Sequence, residues 1–145
     1  MGNGVDDRGT PPDLFARLHR EHRFTLDGAA SHENALLPRH STLDGTFESL
    51  VKVDDRDGLL FPWVGERVWL NPPYGRGLLA PFMKRCASRD ADVVVALVPV
   101  RTDQFWFHEY VIKADAEIEW LRGRVKYDGL STGAPFPSML VTWRH

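Results

Sequence analysis

The strongest hydrophobic signal lies in the second half of the chain. Residues 93–98 are continuously apolar and largely β-branched, with charged residues on one side and Pro99 on the other. That pattern predicts a strand buried on both faces. Upstream, Arg67-Val68-Trp69-Leu70 reads as a strand that runs into Asn71-Pro72-Pro73-Tyr74, and Leu78, Leu79, Phe82, Met83 and Cys86 then recur at helical spacing. Downstream, residues 103–114 predict an aromatic-rich helix, 117–121 a strand, and 138–143 a final strand.

The first half is patterned less regularly. Thr10-Pro11-Pro12-Asp13 reads as a helix start, with threonine as N-cap, proline at the first helical position and an acid three residues on. Leu14, Phe15 and Leu18 give that helix one apolar stripe, and Phe24-Thr25-Leu26 predicts a short strand ended by Asp27-Gly28-Ala29-Ala30. Residues 31–34 can open a helix, Ala35-Leu36-Leu37 a short strand, and residues 43–58 a loop, a helix over 46–51, or both. Residues 1–9 read as a disordered lead-in and 10–145 as a single domain. Strands alternating with helices predict an α/β architecture, a mostly parallel sheet with helices on both faces. Ligands of such sheets bind at the carboxyl ends of the strands.

Composition narrows the function classes. The chain has 145 residues and one cysteine, so an internal disulfide and a cysteine-built zinc site are both excluded. Residues 1–8 lack the apolar core of a secretory signal, and the longest apolar run is far too short to span a bilayer. A reducing, cytoplasmic setting follows as the expectation. The six histidines do not cluster like ligands, so no metal site is expected. Net charge is −2, which does not give the basic footprint of a general nucleic-acid binder. Any phosphate-facing patch must be local: Arg122, Arg124 and Lys126 form one group, and Lys84, Arg85 and Arg89 another.

Asn71-Pro72-Pro73-Tyr74 carries the most specific chemistry. An exocyclic ring amine is a poor nucleophile because its lone pair is delocalised into the ring. Two acceptors that take both N–H hydrogens draw the nitrogen towards tetrahedral geometry and release that lone pair. The Asn71 side-chain oxygen and the Pro72 carbonyl can be such a pair. The two prolines fix their own φ angles and hold the preceding residue extended, so the acceptors are set before substrate arrives. Tyr74 offers a π face for a base, a contact worth about 1–3 kcal/mol in single-strand binders. Asn-Pro and Pro-Pro are also ordinary turn dipeptides, so the tetrapeptide alone is equally compatible with a turn.

Seven segments in order carry a resemblance: GTPPDLF, FTLDGAASHENA, DGL, VWLNPPYG, ADVVVALVPVRTDQFWFHEYV, EIEWLRGRVKY and APFPSMLV. Together, over about residues 9–143, they resemble the phage-type DNA N-6-adenine methyltransferases, the Dam-like family. The resemblance implies a Rossmann-like, seven-stranded methyltransferase fold with S-adenosylmethionine as methyl donor and adenine N6 in DNA as acceptor. It gives Asn71, Pro72, Pro73 and Tyr74 the catalytic role. Thr10 and Pro11 resemble the element beside the methionine end of the cofactor, Asp27 and Ala29 the first cofactor loop, and Asp57 the acid that accepts from the cofactor's adenine amine. The usual Gly-x-Gly is replaced by Gly28-Ala29-Ala30, and Glu33 and Asn34 are the only candidates for a ribose contact. Arg101, Asp103, Arg124, Lys126, Tyr127 and Phe136 are expected on the DNA side, where the target base must leave its stack.

The expected reaction is direct methyl transfer to the amine without a covalent enzyme intermediate, in a phage or restriction-modification context, by a monomer or homodimer. Cys86 is read as a packed apolar residue and the aromatic group 105–110 as mainly core. Two other readings stay open: a methyltransferase acting on RNA adenine or protein glutamine, and an inactive module that binds S-adenosylmethionine or nucleic acid.

Overall fold

The computed structural model describes residues 10–30, 40–42, 47–48, 63–72, 77, 79–123, 125 and 136–145. Its frame is one seven-stranded sheet. The strands are β1 (Leu26–Ala30), β2 (His40–Thr42), β3 (Phe47–Glu48), β4 (Arg67–Leu70), β5 (Val93–Pro99), β6 (Glu117–Trp120) and β7 (Ser138–Arg144). Their spatial order is β3-β2-β1-β4-β5-β7-β6. The run β2-β1-β4-β5 is parallel, whereas β3 pairs antiparallel with β2, and β7 pairs antiparallel with both β5 and β6. The sheet is therefore mixed, parallel only through its centre. Hydrophobic patterning has a period of two whichever way a strand runs, so it did not reveal the reversed strands.

Helices cover both faces. The helix α1 (Pro12–His22) lies on the face that carries Trp69, whose ring packs edge-on to Phe15 at 5.6 Å and tilted against Phe24 at 5.7 Å. The opposite face carries Val68, Val94 and Trp143, which are cross-strand partners. There the Trp143 indole donates to the Tyr110 carbonyl at 2.8 Å, within the π-helical segment Phe107–Ile112. The helix α2 (Leu79–Ala87) packs on the same face, with Leu79, Phe82, Met83 and Cys86 buried. All seven residues of β5 are buried, as the apolar run predicted.

Three local expectations change. Strand β1 begins at Leu26 and runs through Asp27-Gly28-Ala29, which the Asp-Gly pair had suggested as a turn. Pairing to β4, with Leu26 opposite Val68 and Asp27 opposite Trp69, keeps these residues extended. Glycine is needed there for space: a Cβ at position 28 would lie 3.0 Å from Val68 Cγ1, 3.2 Å from Leu70 Cδ1 and 3.3 Å from Trp63. Residues 47–48, inside the alternative helix over 46–51, form β3 instead. The helix expected over 103–114 tightens at its start and widens into a π-helix, with Lys113 N donating to His108 O and Ala116 N to Val111 O. Residues 31–39 and 43–46 lie outside the described residues, as does the strand considered at 35–37.

Candidate active site at the carboxyl edge of the sheet

The chain builds β1, β2 and β3 outwards in one direction, then crosses back to lay β4 on the other flank of β1. The order of strands thus reverses between β1 and β4, and in open α/β sheets such a switch point opens the ligand crevice at the carboxyl ends of the strands. Asn71 and Pro72 follow directly on β4 at that point. Leu70 is fully buried, Asn71 half-buried and Pro72 buried, so the motif leaves the core with its first residues anchored.

Asn71 meets the start of α1. Its Nδ2 donates to Thr10 Oγ1 at 3.1 Å, across 61 residues of sequence. Thr10 is 6% exposed and is not the helix cap expected of it. The capping position falls to Pro11, with Pro12 at the first helical position and no side-chain cap. Two successive prolines shift the start by one residue. The first intrahelical bond runs from Phe15 N to Pro11 O, so the amides of Asp13 and Leu14 have no partner within the helix.

Asp27 is 3% exposed and Ala29 half-buried, both inside β1 rather than in a loop beyond it. As the partner of Trp69, Asp27 faces the α1 side of the sheet. A buried carboxylate and a helix N-terminus on one face complement an ammonium and a carboxylate respectively, the two charges of an amino-acid group.

The acceptor side of the same edge comes from β5, β6 and β7. Arg101 follows β5, and its guanidinium lies 5.9 Å from the Phe136 ring. The bond from Val100 N to the Pro137 carbonyl, and that from Leu121 N to the Ser138 carbonyl, put the start of β7 and the end of β6 beside it. Asp103 is exposed, and the turn that holds it is closed by His108, whose Nε2 contacts the Thr102 carbonyl at 2.6 Å. The structure thus gathers Thr10, Pro11, Asn71, Pro72, Arg101, Asp103 and Phe136 at one edge. Asp57, Pro73, Tyr74, Arg124, Lys126 and Tyr127 lie outside the described residues, as do Glu33 and Asn34.

Two other readings are resolved by position. Arg85 stacks 4.5 Å over Trp63, and Arg89 donates to the Ala114 carbonyl, so both serve packing at the amino edge of the sheet. Cys86 is fully buried, and burial pushes its thiol pKa well up, which suits a packed apolar residue and not a nucleophile. One ring of the aromatic group stands outside the core. Trp106 and Phe107 are buried, but Phe105 is 70% exposed just beyond the Arg101 turn. Three consecutive aromatics cannot all face inwards on any helix, which was the available signal.

No described helix is long and apolar enough to cross a membrane, and among the described residues no group of three His, Cys, Asp or Glu side chains is placed to hold a metal ion. A mixed α/β sheet with a polar motif at its strand switch point has the arrangement in which open α/β sheets hold their ligands. The family model for DNA N-6-adenine-methyltransferase (Dam) matches residues 3–145, and the chain belongs to that family. At family level this means methylation of adenine N6 in DNA. No curated protein matches the sequence.

Proposed function

We propose that this chain transfers the methyl group of S-adenosylmethionine to adenine N6 in DNA, with Asn71 as its central catalytic residue. The observation that carries the reading is Asn71-Pro72 at the end of β4, beside the strand switch point, in a chain of the Dam family. Asn71 Oδ1 and the Pro72 carbonyl accept the two N–H hydrogens of the extruded adenine amine. This localises the lone pair on nitrogen and opposes loss of the base from the pocket. The prolines hold both acceptors in place beforehand, so little reorganisation accompanies the reaction. Tyr74 stacks on the base.

S-adenosylmethionine supplies an electrophilic sulfonium methyl. Asp27 on the α1 face would hold its ammonium, and the helix start after Pro11 its carboxylate. Small Ala29 would allow close approach beside Asp27, and Asp57 would accept from the adenine amine of the cofactor. Arg101, Arg124 and Lys126 meet phosphate, and Phe136 and Tyr127 contact the extruded base.

Incubation with isotope-labelled S-adenosylmethionine and unmethylated DNA, followed by nucleoside analysis, tests the reading. N6-methyladenine is expected from wild type. Asn71→Ala should lose about 10²–10³ in turnover, the scale of removing one preorganised polar group. Equal yields from the two proteins would refute the role of Asn71, and no N6-methyladenine from wild type would refute the reaction.

A further inference from the structure

We infer that Thr10 is a positioning residue for the reaction, holding the Asn71 carboxamide in place at the end of β4. The inference rests on the catalytic reading of Asn71. An acceptor acts only where it is held, so the Asn71 side chain gains from a partner that limits its motion.

Thr10 is placed for this. Its Oγ1 accepts from Asn71 Nδ2 at 3.1 Å, and since a hydroxyl can hold either arm of a carboxamide, what it fixes is the place of the side chain. The hydroxyl is buried, and it is spared from helix capping because Pro11 takes the N-cap position. Pro11 and Pro12 restrict the backbone directly after Thr10, so the acceptor sits on a stiff support. The contact also joins the start of α1 to the end of β4, the two elements that flank the crevice. Thr10 thus acts through Asn71, which a direct contact with the cofactor's methionine end would not require.

The test compares Thr10→Val, Thr10→Ala and Thr10→Ser with wild type and Asn71→Ala, measuring kcat at saturating cofactor and DNA, cofactor Kd by calorimetry, and thermal unfolding. Thr10→Val keeps the shape and removes the hydroxyl, Thr10→Ala removes it without adding a methyl group, and Thr10→Ser keeps it. A misplaced reacting group costs up to about a hundredfold, so kcat should fall about ten- to a hundredfold in Val and Ala, with cofactor Kd within about twofold of wild type. Serine should restore most of the turnover. Added to Asn71→Ala, the Thr10 change should have no further effect on turnover. A rise in cofactor Kd with kcat unchanged would overturn the inference in favour of a cofactor contact. Unchanged kcat in both Val and Ala would overturn it outright. If Asn71→Ala keeps full activity, the catalytic reading fails, whereas an inactive Asn71→Ala beside fully active Thr10 variants sinks the inference alone.

Discussion

Gly28 shows how one position can serve fold and site together. It lies in β1 between Asp27 and Ala29, and its missing side chain lets Val68, Leu70 and Trp63 close over the strand. All three neighbours are fully buried, so none can swing into solvent. Gly28→Ala should therefore destabilise the protein by about 1–3 kcal/mol, the usual cost of overpacking, and Gly28→Val by more. Denaturant titration reads this directly, and an alanine variant as stable as wild type would mean that the three neighbours can yield. The sequence showed Asp27-Gly28 as a turn because that dipeptide favours turns locally. What it could not show is that β1 sits between two parallel neighbours, whose pairing overrides the local preference. Asn71 was legible for the opposite reason: its prolines and preceding strand are adjacent in sequence, whereas its partner Thr10 is remote.

At the scale of the element, α1 brings a titrating group against the edge of the sheet. The His22 side chain is 7% exposed, in a small cavity that Glu21, Glu117, Glu119 and Arg144 also line. Burial holds its pKa below the ordinary 6.5; Arg144 acts in the same direction, and Glu21 and Glu117 oppose it. A histidine with a lowered folded pKa binds fewer protons folded than unfolded, so stability rises with pH through this window. Its contribution is full above pH 6.5 and is lost as pH falls towards the folded value. Below that, Glu117, held under the ordinary carboxylate range by its hydrogen bond from Arg144, loses its own contribution. His22→Gln should flatten the decline of thermal stability as pH falls below 6.5. An unchanged slope would assign the decline to other groups. Helix α2 and strands β4 and β5 were legible because their apolar positions repeat cleanly. The π-helix was not, because an i to i−5 bond leaves no mark distinct from ordinary helical spacing.

For the molecule as a whole, charge and topology divide the two ends of the sheet. The Lys84, Arg85 and Arg89 group falls at the amino edge, where Arg85 and Arg89 are tied into packing, whereas Arg101 and Arg122 stand at the carboxyl edge. With a net charge of −2, affinity for DNA should depend on these few cations. Arg101→Ala should weaken DNA binding about tenfold and lower the logarithmic salt slope by about one, with cofactor binding unchanged. Titrations at several salt concentrations would show this, and an unaltered slope would remove Arg101 from the phosphate contacts. The strand order was not legible, because nothing in a run such as residues 138–143 says which neighbour it will take. Its place between β5 and β6 has a consequence for synthesis of the chain. Among the described residues, strand β5 has only β4 beside it until residues 138–144 are made, and β6 pairs with β7 alone. A nascent chain that stops short of residue 138 therefore carries a fully apolar strand with an open edge, the kind of surface that recruits other chains. The ribosome must pass β7 before the protein can hide its stickiest segment, which makes premature termination a route to aggregation and not to a shorter enzyme.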